Sequence, residues 1–170
     1  MTVKGLRVEL LAKSHDRRSF RCESEALTTY FATQARQDVQ RKLSACFVMT
    51  QGTPQVLGFY TLATDSIPRN DVPVSMRKSL PKSYRAPVIL LGRLARDLSN
   101  RRQGLGELLL MDALLRCLWL SDESVGAMAV VVDPLDAGAA AFHARYGFTL
   151  LPDSGRMFLP VRTIRALGQG

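Results

Sequence analysis

The sequence predicts an α/β (α+β) fold, one mixed and mostly antiparallel sheet with helices on both faces. Three stretches predict it. An apolar run of strand length, residues 87–96, breaks into a basic, glycine-containing turn and passes at once into a long apolar helix pattern. Residues Ser44–Gln51 and Val56–Ala63, rich in β-branched and aromatic side chains, flank Gly52-Thr53-Pro54 as a hairpin would. Ala127–Val132 is an uninterrupted apolar run, the pattern of a strand covered on both faces.

The remaining elements follow in order. Residues 5–11 alternate apolar and polar, as a first strand does. Ser24 can cap a helix whose apolar positions, Leu27, Tyr30, Phe31 and Ala35, recur three and four apart. Asp65–Ala86 carries Pro68, Pro73 and Pro81 with Arg69, Arg77, Lys78, Lys82 and Arg85, and reads as a long basic loop with one helical turn. A helix is expected from Gly104 to Leu120, apolar almost all round and deeply buried, with Trp119 in the core. After the Asp133-Pro134-Leu135-Asp136 turn, a helix spans Ala137–Tyr146 and stops at Gly147. Phe148–Leu151 and Met157–Val161 are short closing strands. The order is β-α-β-β-β-α-β-α-β-β in one domain covering residues 1–170.

Composition narrows the function. With 170 residues, 46% hydrophobic and 22% charged, the chain suits one domain with a substantial core. No apolar run is long enough for a membrane span, and the N-terminus lacks a signal-peptide pattern, so a cytoplasmic location is expected. Cys22, Cys46 and Cys117 form no C-x-x-C pair, and with His15 and His143 they outline no metal site. Net charge is +8 and it is uneven. Residues 1–102 hold eighteen Lys and Arg against eight acids, and residues 103–170 five against seven. That imbalance favours a polyanionic partner over a polyamine substrate, which would ask for an acidic pocket.

The turn Arg101-Arg102-Gln103-Gly104-Leu105-Gly106 sits between a strand and a helix N-terminus, where free N–H groups and positive charge can hold phosphate. It is neither a Walker motif nor a complete dinucleotide fingerprint. It resembles the R/Q-x-x-G-x-G/A pyrophosphate signature of the GNAT acetyltransferase superfamily. Ala139-Ala140-Ala141-Phe142-His143-Ala144-Arg145-Tyr146-Gly147-Phe148 resembles that superfamily's A-x-x-F-Y-x-x-x-G-F segment. Leu91-Gly92-Arg93-Leu94-Ala95, the basic loop before it, and Phe20-x-Cys22-x-Ser24-x-x-Leu27 resemble the GNAT toxins of bacterial toxin–antitoxin pairs.

The resemblance implies a GNAT-like domain that uses acetyl-CoA to acetylate the amine of aminoacyl-tRNA and so blocks translation. It also implies a homodimer and a ribbon-helix-helix antitoxin as partners. By the same resemblance, Leu94, Ala95 and Arg96 would pair with the pantetheine arm. Arg101, Arg102, Gln103, Gly104, Leu105 and Gly106 would cradle the pyrophosphate. Asp136 and Phe142 are further coenzyme candidates. His143 stands where the family has its tyrosine acid; it or Tyr146 would protonate the leaving thiolate. Arg93, Arg77, Lys78, Lys82 and Arg85 are candidate tRNA contacts. A small-molecule or protein N-acetyltransferase, or a coenzyme-binding module without catalysis, remains open at this point.

Overall fold

A computed structural model describes residues 5–100 and 104–168. The strands are β1 (Arg7–Leu10), β2 (Ala45–Thr50), β3 (Gly58–Ile67), β4 (Ala86–Arg96), β5 (Ala129–Val132), β6 (Thr149–Leu150) and β7 (Met157–Pro160). The helices are α1 (Glu25–Thr33), α2 (Ala35–Gln40), α3 (Val74–Arg77), α4 (Leu105–Glu123), α5 (Ala137–Ala144) and α6 (Val161–Leu167). The strands form one seven-stranded sheet in the order β1-β2-β3-β4-β5-β7-β6. β4 and β5 run parallel, while the β1/β2, β2/β3, β5/β7 and β6/β7 pairs are antiparallel, which is the mixed sheet the sequence predicts.

The chain divides into two compact units. One comprises Met1–Ala63 and Gly92–Ala113, the other Thr64–Leu91 and Leu114–Gly170. The core of the first gathers Phe20, Phe31 and Phe59 with Val48, Val56 and Ala95. Phe31 stacks on Phe59 at 4.3 Å between ring centroids, and Phe20 meets both rings edge-on. Such ring geometry fixes the seat of α1 more tightly than apolar burial alone. Ser24 caps α1 as its position predicts, accepting the Leu27 N–H at 3.1 Å. The helical pattern then breaks at Gln34, so the tail of the expected helix is the separate α2.

In the second unit, Ile67, Val72, Leu80, Val88, Val131, Leu151 and Phe158 form the core. The basic connection between β3 and β4 contributes Val72 and Leu80 to it, so this segment is anchored at two points and carries the expected single helical turn as α3. β3 runs on to Ile67, past the expected end at Ala63. The sequence also does not announce α6, because its start coincides with the apolar end of β7.

α4 corrects the expectation of burial on all sides. Leu105, Leu109, Leu110, Ala113, Leu114 and Cys117 are buried, but Leu108 and Leu115 are exposed and Trp119 is 58% exposed. The helix is buried along one face, and Trp119 is a surface residue rather than core. Among the described residues, no helix is long and apolar enough to cross a membrane.

Candidate functional site

β5 runs alongside only the first part of β4. The register ends at Leu91↔Val132, and Gly92–Arg96 continue beyond it. In this extension Ala95 is buried, while Leu94 and Arg96 are half-buried. Arg96 reaches Glu23 with Nη2 at 3.4 Å, and its Nη1 is buried with no hydrogen-bond partner among the described residues.

The next residues turn the chain through Asp97. Its backbone N–H donates to Leu57 O at 2.8 Å. Its Oδ1 accepts the Arg21 N–H at 3.0 Å, its Oδ2 accepts the Ser99 N–H at 3.1 Å, and the Ser99 hydroxyl also donates to Oδ2. Leu98 N donates back to Arg21 O at 2.8 Å. A buried carboxylate with its lone pairs filled in this way fixes the exit of β4 against the segment that precedes α1. In the sequence, the Asp97-x-Ser99 turn pattern is the one local sign of this role for Asp97.

Arg101, Arg102 and Gln103 lie outside the described residues. Gly104 enters α4 at φ +67, a left-handed conformation that glycine adopts without strain. α4 is 19 residues long, and the N–H groups of its first turn, starting at Leu105 and Gly106, have no intrahelical acceptor. An anion is favoured there by both donors and dipole. This helix start fits a pyrophosphate-bearing ligand such as acetyl-CoA.

Arg93, on the same strand, has internal partners. Its guanidinium sits 3.7 Å from the centroid of the Tyr30 ring, Tyr30 OH donates to Asp38 Oδ2 at 2.9 Å, and Gln34 Nε2 donates to Oδ1 at 2.9 Å. The Gln34 hydrogen bond, then the Tyr30 bond and the Arg93 charge, hold the Asp38 carboxyl below its usual value. Burial, ahead of the Asp38 bond, pushes Tyr30 up to about 12. The network ties β4 to α1 and α2.

In the second unit, Asp136 caps α5 by accepting the Ala139 N–H at 2.8 Å, so its carboxylate is engaged in capping. The C-terminal end closes as a Schellman turn. Phe148 N donates to His143 O at 3.4 Å and Gly147 N to Ala144 O at 3.1 Å, with Gly147 at φ +98. The apolar contact that accompanies such a turn is here His143 against Phe148, rings 5.2 Å apart. The spacing of histidine, glycine and phenylalanine is therefore that of the helix closure itself.

His143 is 8% exposed and its Nδ1 is buried with no partner among the described residues. Burial pushes its pKa down to about 4, so the ring is neutral at physiological pH. Phe142 lies edge-on to both His143 and Tyr146, and Tyr146 sits past the end of α5 with its N–H on His143 O. Ahead of α5, Arg156 forks onto Asp133 at 2.8 Å and also reaches Asp65 at 3.0 Å. It thereby pins the loop that leads from β5 into α5. No local sequence pattern marks Arg156 for this role.

The basic connection separates into two kinds of cation. Arg69 donates to Leu80 O and Arg77 O, Arg77 donates to Asn70 O and Val72 O, and Arg85 donates to Ser66 Oγ and Ser66 O. These arginines hold the loop to its own carbonyls. Lys78 and Lys82 are exposed.

No family model matches the chain. The chain is 35% identical to the tRNA-acetylating toxin of Mycobacterium tuberculosis over 158 residues, covering 92% of this chain and 93% of the relative. A solved structure of AtaT complexed with acetyl-methionyl-tRNAfMet shares 30% identity at a TM-score of 0.88, covering 96% of this chain and 99% of that one. A tyrosine-to-phenylalanine mutant of AtaT, bound to the C-terminus of the antitoxin AtaR and acetyl-CoA, shares 27% identity at a TM-score of 0.81, covering 97% and 99%. With the likeness running nearly end to end in sequence and in fold, the chain belongs to the GNAT-fold family of tRNA-acetylating toxins.

Proposed function

We propose that this chain is the toxin of a toxin–antitoxin pair, transferring the acetyl group of acetyl-CoA to the amine of aminoacyl-tRNA. The observation that carries the reading is the end-to-end match to a tRNA-acetylating toxin. The basic N-terminal portion suits a tRNA ligand, and the α4 start suits the coenzyme. The free stretch of β4 after Leu91 offers its backbone to the pantetheine arm, and the turn ending at Gly104–Gly106 holds the pyrophosphate. Both substrates belong to the cytoplasm, which is where the toxin acts. An antitoxin and a second copy of the chain are its expected protein partners.

Acetyl-CoA supplies the thioester. The neutral amine of the aminoacyl group attacks its carbonyl carbon, forming a C–N bond and a zwitterionic tetrahedral intermediate. His143, neutral because it is buried, takes a proton from the new ammonium and passes it to sulfur as the C–S bond breaks. The products are N-acetyl-aminoacyl-tRNA and free coenzyme A, with no covalent enzyme intermediate. The place of His143, where the A-x-x-F-Y-x-x-x-G-F pattern has its tyrosine, supports this role. Tyr146 is set apart by the end of α5 and lends its ring to Phe142.

Expression of the wild-type chain in a bacterium should arrest growth, and His143→Ala should relieve the arrest. Unimpeded growth with the wild-type protein present, soluble and free of antitoxin would contradict the proposal.

A further inference from the structure

The connection between β3 and β4 contains a feature that the acetyl-transfer reading leaves unused. Leu80 and Ala86 are buried, and between them Pro81, Lys82, Ser83, Tyr84 and Arg85 are all exposed. Tyr84 N donates to Pro81 O at 3.0 Å, which closes the segment as a tight turn, and Arg85 is fastened to Ser66 through two donors. The finger is therefore ordered before anything binds it. At its tip Tyr84 is 59% exposed, and among the described residues its ring and hydroxyl have no partner. No carboxylate among the described residues pairs with Lys78, Lys82 or Arg85.

We propose that Tyr84 is a stacking platform for an unpaired base of the tRNA, with Lys82 meeting the adjoining phosphate. This rests on the tRNA reading above and gives it a residue that recognises single-stranded RNA. A single strand presents bases and phosphates in alternation, and an exposed aromatic beside an exposed lysine matches that alternation. An acidic protein surface would use the cations but leave the ring without a planar partner. The anchored ends keep the ordering cost of binding low.

The test compares wild type, Tyr84→Ala, Tyr84→Trp and Lys82→Ala for KM toward aminoacyl-tRNA and toward acetyl-CoA. Tyr84→Ala should raise the tRNA KM by about 5- to 100-fold and leave the acetyl-CoA KM within about twofold. Tyr84→Trp should retain the wild-type tRNA KM. Lys82→Ala should flatten the slope of log KM against log salt by about 0.7, which Tyr84→Ala should not do. An unchanged tRNA KM in Tyr84→Ala, or a Tyr84→Trp loss as large as that of Tyr84→Ala, overturns the platform. If the wild-type chain acetylates no aminoacyl-tRNA, the functional reading falls separately. The platform is then read from fluorescence anisotropy with deacylated tRNA, where Tyr84→Ala should still bind more weakly than wild type. Equal binding by the two, no binding by wild type, or a change of sedimenting mass in Tyr84→Ala overturns it.

Discussion

The carboxylate of Asp97 accepts the backbone N–H of Arg21 at 3.0 Å, joining residues 76 positions apart in sequence. The return bond from Leu98 N to Arg21 O makes the junction two-sided, and both Ser99 donors fill the remaining oxygen. The proposed coenzyme cradle, residues 101–106, follows this junction in sequence. Asp97→Ala should therefore cost about 1–3 kcal/mol of stability. Among molecules still folded, it should raise the KM for acetyl-CoA by about tenfold, with kcat changed less. Asp97→Asn, which keeps an acceptor for Arg21 N, should fall between. Steady-state kinetics with a denaturation curve on each variant checks this, and an acetyl-CoA KM unchanged in Asp97→Ala would refute it.

The imidazole of His143 predicts a pH dependence of stability. Its folded-state pKa, about 4, lies below the ordinary histidine value of 6.5. Between these values the unfolded chain binds a proton that the folded chain refuses, so stability falls as pH is lowered from about 6.5 toward 4. The contribution of this group is about 1–3 kcal/mol. Melting curves across that range should show a component present in wild type and missing from His143→Phe. Parallel curves for the two proteins would show that the ring is not held neutral by burial.

Chemistry and packing separate at α5. His143→Ala should lower kcat by about 10²–10⁴-fold with the acetyl-CoA KM little changed, the usual scale for losing a proton-transfer group. Tyr146→Phe, which keeps the ring that Phe142 meets edge-on, should change kcat by less than about threefold. A large loss in Tyr146→Phe together with an active His143→Ala would move the proton-transfer role to the phenol.

Arg77 and Lys82 should behave oppositely although both belong to the basic connection. Arg77 donates to Asn70 O and Val72 O, so Arg77→Ala should destabilise the protein by about 1–2 kcal/mol and leave the salt dependence of tRNA binding unchanged. Lys82 is exposed, so Lys82→Ala should leave the melting temperature unchanged and flatten the salt dependence. Melting curves and salt titrations of the two variants decide it. The reverse pattern would mean that Arg77 reaches the nucleic acid.

These contrasts mark how far the sequence could be read. The apolar run 87–96, the glycine turn and the hairpin revealed the sheet because period and turn chemistry act locally. The helix ending in Gly147 was legible for the same reason, since the Schellman closure needs its glycine at one place. Trp119 was misread because α4 is apolar on faces it does not bury, and composition cannot say which face is covered. The arginines of the basic connection looked alike in sequence, yet Arg69, Arg77 and Arg85 serve carbonyls and Lys78 and Lys82 point to solvent. Asp97 stayed hidden because its Arg21 partner is remote in sequence. The neutral state of His143 depends on burial by Phe148 and its other neighbours, which no local pattern encodes.

Every functional prediction above depends on acetyl transfer to the amine of aminoacyl-tRNA. The most direct test incubates the purified chain with acetyl-labelled acetyl-CoA and a mixture of charged tRNAs, then releases and identifies the labelled species. Label should appear on the α-nitrogen of the esterified amino acid, with none on deacylated tRNA. Label appearing instead on a free small amine or on protein, with the charged tRNA unmodified, would contradict it.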